Sequence, residues 1–429
     1  MDTLARLKSG QLAGTTRLTL SCGLTQFPEE IFELADTLQI LDLSGNHLSS
    51  LPADLGRLKH LQILFCSNND FAEVPACVGQ CPQLSMIGFK ANRIAHLPAA
   101  ALQPVLRWLI LTDNCLEQLP EELGDCTRMQ KLMLSGNRLT QLPASLARLE
   151  NLELLRLSAN RLTHLPDWLF TLPRLAWLAY AGNPLPDVFC TPHEPGAVPD
   201  IDWTDLQLHK RLGEGASGVI QQALWRSRQL EVAVKLYKGS MTSDGSPLNE
   251  MAACIAAGSH PNLIKVEGRV SGHPQGSPGL VMNLIDPSYL NLAGPPSFAS
   301  CSRDVYADDL SFTPGVLQRM AQGIASVAAQ LHDHGINHGD LYAHNILWHE
   351  AGDCLFGDFG AACFYPADDS LAARGIERIE VRAFGLLLGE WLERCPEPLD
   401  ELAALQQACV QPDVLARPGF DEVVASLVG

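Results

Sequence analysis

No stretch of the 429-residue chain reaches the ~18 consecutive apolar residues that a membrane-crossing helix needs. The opening M-D-T-L-A-R-L-K-S-G has no apolar core behind a basic start, so no secretory leader is expected. Basic residues are scarce, 30 Lys and Arg against 48 Asp and Glu, for a net charge of −18. The shortage falls on the second half: 15 basic and 18 acidic residues run through Cys190, but 15 and 30 follow it. Such an acidic surface opposes a phosphate backbone, and nucleic acid is excluded as a partner. Thirteen cysteines are an odd number without paired spacing. Cys77 and Cys81 are the nearest pair, and nothing completes a metal set around them. Reduced thiols in a cytoplasmic protein are therefore expected.

What remains is a globular composition, 46 % hydrophobic and 18 % charged, too long for one ordinary core. The first half repeats. The segment L-Q-I-L-D-L-S-G-N-H-L-S-S-L-P returns with its asparagine at 46, 69, 92, 114, 137, 160 and 183, at intervals of 23 residues except one of 22. Leucines at the first, fourth and sixth positions of each unit are placed to share a core. Each asparagine can bond to neighbouring backbone where the chain turns. The Leu18-Thr19-Leu20 unit lacks the asparagine, as a capping repeat would. This pattern resembles the leucine-rich repeat family over roughly Leu18 to Leu185.

The strand positions between the leucines are unusually apolar. Ile63, Phe65, Trp108, Ile110, Met133 and Trp177 form a strip expected to meet a protein partner or the rest of the chain. Five prolines between Pro184 and Pro199 then break both repeat and helix.

After Ile201 the chemistry-bearing residues begin. R-L-G-E-G-A-S-G-V-I sets Gly213, Gly215 and Gly218 between apolar flanks, suited to bringing backbone N–H groups close to phosphates. Lys235 ends the strand-like V-A-V-K, 22 residues beyond Gly213, and Glu250 follows on a helical segment. N-H-G-D-L-Y-A-H-N-I-L carries Asp340 and Asn345, and Asp358 stands in F-G-D-F-G 13 residues later. Together these resemble the protein kinase family.

The resemblance implies ATP and Mg2+ as cofactors. Asp340 would accept the substrate's proton, Lys235 and its partner Glu250 would hold phosphates, and Asn345 and Asp358 would hold the metal. Nucleotide contacts fall at Gly213, Glu214, Gly215, Gly218, Ile220, Ala233, Lys235, Met282, Asn283 and Leu284, with Met282 as gatekeeper. His332 and His338 take structural positions, and Val316–His332 forms the helix before the catalytic loop.

Three departures bear on regulation. Gly339 replaces the arginine that commonly reads a phosphorylated loop. No A-P-E motif follows Asp358, which leaves Tyr365 and Ser370 as loop hydroxyls and Glu377 as a substitute partner for Arg417. Glu380–Gly385 then marks a helix start, and about 30 residues from Gly385 to Arg417 leave little room for a substrate-docking helix.

The expected architecture is an α/β leucine-rich-repeat solenoid (1–185), a proline-rich linker (186–203) and a two-lobed α+β protein-kinase-like domain (204–429). Its small lobe covers about 204–284 and its large lobe about 285–429. The expected activity is transfer of the ATP γ-phosphoryl to Ser/Thr hydroxyls. A small-molecule phosphotransferase, suggested by H-G-D-L-x-x-x-N, and an autophosphorylating scaffold are the alternatives.

Overall fold

The computed structural model describes residues 3–192, 198–215, 217–239, 242, 245–366 and 368–428. Residues 193–197 of the expected linker and Ala216 of the glycine segment lie outside the described residues. The chain forms two compact units, Met1–Leu172 and Pro173–Gly429. The last repeat strand therefore groups with the second unit.

The first unit opens with α1 (Thr3–Lys8) and continues as short strands one repeat apart. These are β1 (Arg17–Thr19), β2 (Ile40–Asp42), β3 (Ile63–Phe65), β4 (Met86–Gly88), β5 (Trp108–Ile110), β6 (Lys131–Met133) and β7 (Leu154–Arg156). Each pairs in parallel with the next, middle residue to middle residue. Those middle residues, Leu18, Leu41, Leu64, Ile87, Leu109, Leu132 and Leu155, are buried in one stack. The backs of the repeats are single 3-10 turns such as Ala76–Gln80, Glu121–Asp125 and Ala144–Arg148. So short a repeat has room for one tight turn, and Pro75, Pro120 and Pro143 enter those turns in extended conformation.

The asparagines form the backbone ladder. Asn137 Nδ2 donates to Leu111 O at 2.8 Å and to Leu134 O at 2.9 Å, while Oδ1 accepts from Leu116 N at 3.0 Å. Asn69, Asn114 and Asn160 repeat this arrangement one turn apart. Each side chain satisfies backbone groups that the turn would otherwise leave unpaired.

The apolar strip is not an open surface. Ile63 and Trp177 are buried, and Phe65, Trp108, Ile110 and Met133 are half-buried. Part of the cover is local. The Trp108 indole N–H lies 3.3 Å from Met133 Sδ, the Lys131 ammonium sits 4.7 Å above the Trp108 ring, and Phe65 lies over Gly88.

The second unit begins with the strand of the last repeat, β8 (Trp177–Ala179). Its small lobe is a six-stranded sheet ordered β10-β11-β12-β14-β13-β9. The members are β9 (Asp200–Asp202), β10 (Leu206–Glu214), β11 (Gly218–Trp225), β12 (Leu230–Tyr237), β13 (Val266–Ser271) and β14 (Gly279–Asn283). Only the β13–β9 edge is parallel. Strand β9 falls within the stretch expected to be linker. It joins the sheet because Ile201 is buried with Leu206, Trp225, Val232 and Val281. Helix α2 (Pro247–Ala256) completes this lobe, capped by Ser246 with Pro247 in its first turn.

The large lobe contains short strands β15 (Leu290–Asn291), β16 (Ile336–Asn337), β17 (Ile346–Trp348), β18 (Cys354–Phe356) and β19 (Cys363–Phe364). Its helices are α3 (Pro314–Asp333), α4 (Leu371–Leu392), α5 (Asp400–Val410) and α6 (Phe420–Val428). Two expectations are corrected here. Glu380 lies in the middle of α4, which starts at Leu371 because Ser370 Oγ caps it by accepting from Ala373 N at 3.2 Å. The interval before Arg417 holds one helix, α5, whose Leu402, Leu405 and Cys409 are buried. A Cβ on Gly385 would meet Cys409 Cβ at 2.6 Å, which is why α4 and α5 can approach so closely. Arg417 does not pair with Glu377. It donates to the carbonyls of Gln411, Arg378 and Pro173 at 2.9, 3.0 and 2.7 Å, while Glu377 binds Arg378 and the Phe420 N–H.

Candidate functional site

Strand β12 carries Lys235 towards α2, where its ammonium forms an ion pair with Glu250. Both side chains are largely buried. Burial works against the lysine's charge, but Glu250 and Asp358 outweigh it and hold the ammonium above its ordinary range. Burial also lifts the Glu250 carboxyl, with Lys235 pulling it back.

Two cavities of about 160 Å³ each meet at Lys235 and Asp358. One lies under the glycine segment, lined by Gly215, Ser217, Gly218, Lys235, Asp358 and Gly360, among others. The other runs behind it past Ile220, Glu250, Cys254, Met282 and Phe359. The three glycines have different reasons. A Cβ on Gly218 would strike Leu236 O at 2.5 Å, whereas Gly213 and Gly215 have nothing within 4 Å of theirs. No protein atom demands glycine at Gly213 or Gly215, a pattern that suits close approach of a ligand to backbone.

Other expected nucleotide contacts stand apart. The Glu214 carboxylate is turned to Lys238 and Arg211, and this pairing holds it below the usual carboxylate range. Ala233 pairs with Met282 across the sheet, and Asn283 N bonds to Lys265 O at 2.9 Å. Ala233, Asn283 and Leu284 line neither cavity.

In the large lobe, Asn345 Nδ2 donates to both Asp340 O and Asp340 Oδ2 at 2.9 Å. With that nitrogen committed, the amide presents its carbonyl-type Oδ1 on the other side. Asp358 is exposed, takes a left-handed backbone (φ 59°), and caps a single 3-10 turn through Gly360 N at 3.3 Å. An amide oxygen and a carboxylate are the donors a hard cation such as Mg2+ takes.

The loop bearing Asp340 is anchored from beneath by a residue whose role sequence reasoning missed. Glu380 on α4 accepts from His338 N at 3.0 Å and Gly339 N at 2.7 Å, and lies 2.8 Å from His332 Nε2. Burial is the largest influence on its carboxyl and pushes it up. The His332 and His338 contacts overcome this and hold it below its ordinary value. The four histidines are each engaged. His332 Nδ1 lies 2.7 Å from Tyr365 Oη, and His334 Nδ1 lies 3.2 Å from Ala256 O. His338 Nε2 is 3.1 Å from Gly357 O, and His344 Nδ1 is 2.7 Å from the buried Asp304. Tyr365 is consequently buried, and Ser370 is a helix cap; neither is a free loop hydroxyl.

A small lobe that pairs a sheet lysine with a helix glutamate, above a loop joining Asp340 to Asn345, defines the second unit as kinase-like. Comparison with known proteins agrees. Residues 206–384 match the family of protein tyrosine and serine/threonine kinases, and residues 36–76 and 127–185 match leucine-rich repeats. The chain thus joins leucine-rich repeats to a protein kinase domain.

A putative serine/threonine-protein kinase of Acanthamoeba polyphaga mimivirus is 24 % identical over 43 % of this chain and 31 % of its own length. Tyrosine-protein kinase ABL2 of Mus musculus is 28 % identical over 44 % of the chain and 17 % of its own length. In both, the match takes in less than half of the relative. A leucine-rich-repeat protein of Leptospira interrogans overlaps 41 % of this chain and 51 % of its own at 30 % identity and a TM-score of 0.35. Among the described residues no helix is long and apolar enough to cross a membrane, and all thirteen cysteines are free thiols.

Proposed function

We propose that the second unit transfers the γ-phosphoryl of Mg-ATP to serine or threonine hydroxyls in a cytoplasmic protein. The carrying observation is the convergence of Lys235 and Asp358 on the space beneath Gly215 and Gly218, with Lys235 paired to Glu250 behind it. In this reading Lys235 holds the phosphates, Asp358 and the Asn345 Oδ1 hold magnesium, and Asp340 accepts the proton of the attacking hydroxyl. Little covalent chemistry is asked of the protein; position and charge carry the step. The repeats recruit a protein substrate or regulator. The acceptor type is the finer part of the proposal, since the relatives include kinases of both hydroxyl classes.

Mass spectrometry of the purified chain and a generic protein substrate after incubation with Mg-ATP tests it. Phosphoserine or phosphothreonine, abolished by EDTA, is the expected outcome; phosphotyrosine alone would correct the acceptor. A small alcohol as acceptor is the second reading, favoured by the short run from Asp358 to α4 at Leu371, which leaves little chain to seat a peptide. Faster turnover of small alcohols or aminoglycosides than of protein would select it.

A further inference from the structure

The last repeat sits against the loop that carries Asp340. The Trp177 indole stacks on the Tyr342 ring at 4.1 Å between centroids and 8° between planes, and its N–H donates to Leu341 O at 3.0 Å. Asn337 Nδ2 donates to Leu178 O at 2.9 Å, and Tyr180 Oη donates to Phe364 O at 3.1 Å. Gly339, with φ at 70°, has no room for a side chain: a Cβ would meet Leu178 O at 2.6 Å and Ala361 O at 2.8 Å. The absent arginine is thus excluded by the repeat's own backbone, whatever its signalling value elsewhere.

These contacts bracket Asp340. Glu380 fixes the backbone on its N-terminal side through the N–H groups of His338 and Gly339. Trp177 fixes the two residues that follow it, by a hydrogen bond to Leu341 and a flat ring against Tyr342. The stretch between Asp358 and α4 is short, and its one tyrosine is buried on His332.

We infer that Trp177 is a positioning residue for phosphoryl transfer, and that the terminal repeat does for the catalytic loop what a longer, switchable loop would otherwise do. The repeat is then an integral part of the catalytic unit, required for activity and not an inhibitor of it. This rests on reading Asp340 as the proton acceptor. A misplacement of about 1 Å at such a group costs on the order of 10²-fold in rate.

The test uses Trp177→Leu, which keeps an apolar side chain without a flat ring or N–H, and Trp177→Phe, which restores a flat ring, both in the full chain. Backbone hydrogen exchange over residues 338–345 is read beside kcat and KM for ATP. In Trp177→Leu, exchange over that loop should accelerate by about 10-fold or more. At the same time kcat should fall by about 10- to 100-fold and KM for ATP should stay within about two-fold, because the cavity at Lys235 is untouched. Trp177→Phe should recover most of both losses, and unchanged exchange in α3 certifies the fold. Wild-type exchange over 338–345 in Trp177→Leu would overturn the inference, as would loss of protection with kcat unchanged. Exchange is read without any turnover, so a wild-type chain that transfers no phosphoryl would refute the proposed function separately.

Discussion

Two tryptophans occupy the same position of their repeats and lead different lives. Trp108, in the first unit, is half-buried among Met133 and Lys131 of the neighbouring strand. Trp177, in the second, is buried against Tyr342 and bonded to Leu341, with the Arg303 guanidinium 5.3 Å over its ring. The repeat pattern that places them is identical, so the difference comes from what the solenoid ends on. An inner-face aromatic is a surface feature until another element closes over it; then it becomes core.

That contrast can be broken most forcefully at Trp177. Trp177→Ala should destabilise the second unit by about 3–5 kcal/mol, read as a lowered denaturant midpoint, because a large buried ring leaves a cavity. The opposite side of the same loop should yield somewhat less. Glu380→Gln keeps an acceptor oxygen but loses the charge that receives His338 N and Gly339 N, costing about 2–3 kcal/mol by the same measurement. Trp108→Ala should cost only about 1–2 kcal/mol, since less of that ring leaves water on folding. A Trp108→Ala loss as large as that of Trp177→Ala would erase the distinction.

The smallest effect is one of pH. The His344 imidazole is half-buried, which pushes its pKa down, but Asp304 with Asp340 and Asp358 outweighs this and raises it. Its folded pKa therefore exceeds the unfolded value of about 6.5. The stability it supplies is complete below that value and is lost as pH rises through the folded pKa. His344→Gln should flatten the unfolding midpoint over that range; an unchanged pH profile would show that the Asp304 contact contributes nothing.

Much of this was legible before any coordinates. The solenoid follows from a period and an asparagine, because each turn solves the same backbone problem. Lys235, Glu250, Asp340, Asn345 and Asp358 could be picked out because they are fixed by order and spacing along the chain. What escaped were contacts between residues far apart in sequence. Nothing near Tyr365 announces that His332 will bury it, and nothing near Arg417 announces that its partners will be carbonyls, one of them at Pro173. The Trp177–Tyr342 stack belongs to the same group, although the choice between an external partner and the chain itself was visible in the apolar strip. The start of α4 is readable in the sequence, because Ser370 is an ordinary helix-capping residue.

The central claim is that Asp358 and its neighbours run phosphoryl transfer, and Asp358→Asn tests it most directly. The account predicts that the purified wild-type chain incorporates phosphate from Mg-ATP. The Asp358→Asn chain, unchanged in circular dichroism and unfolding midpoint, should lose that activity by about 10³-fold or more. Wild-type turnover in the folded Asp358→Asn chain would contradict it.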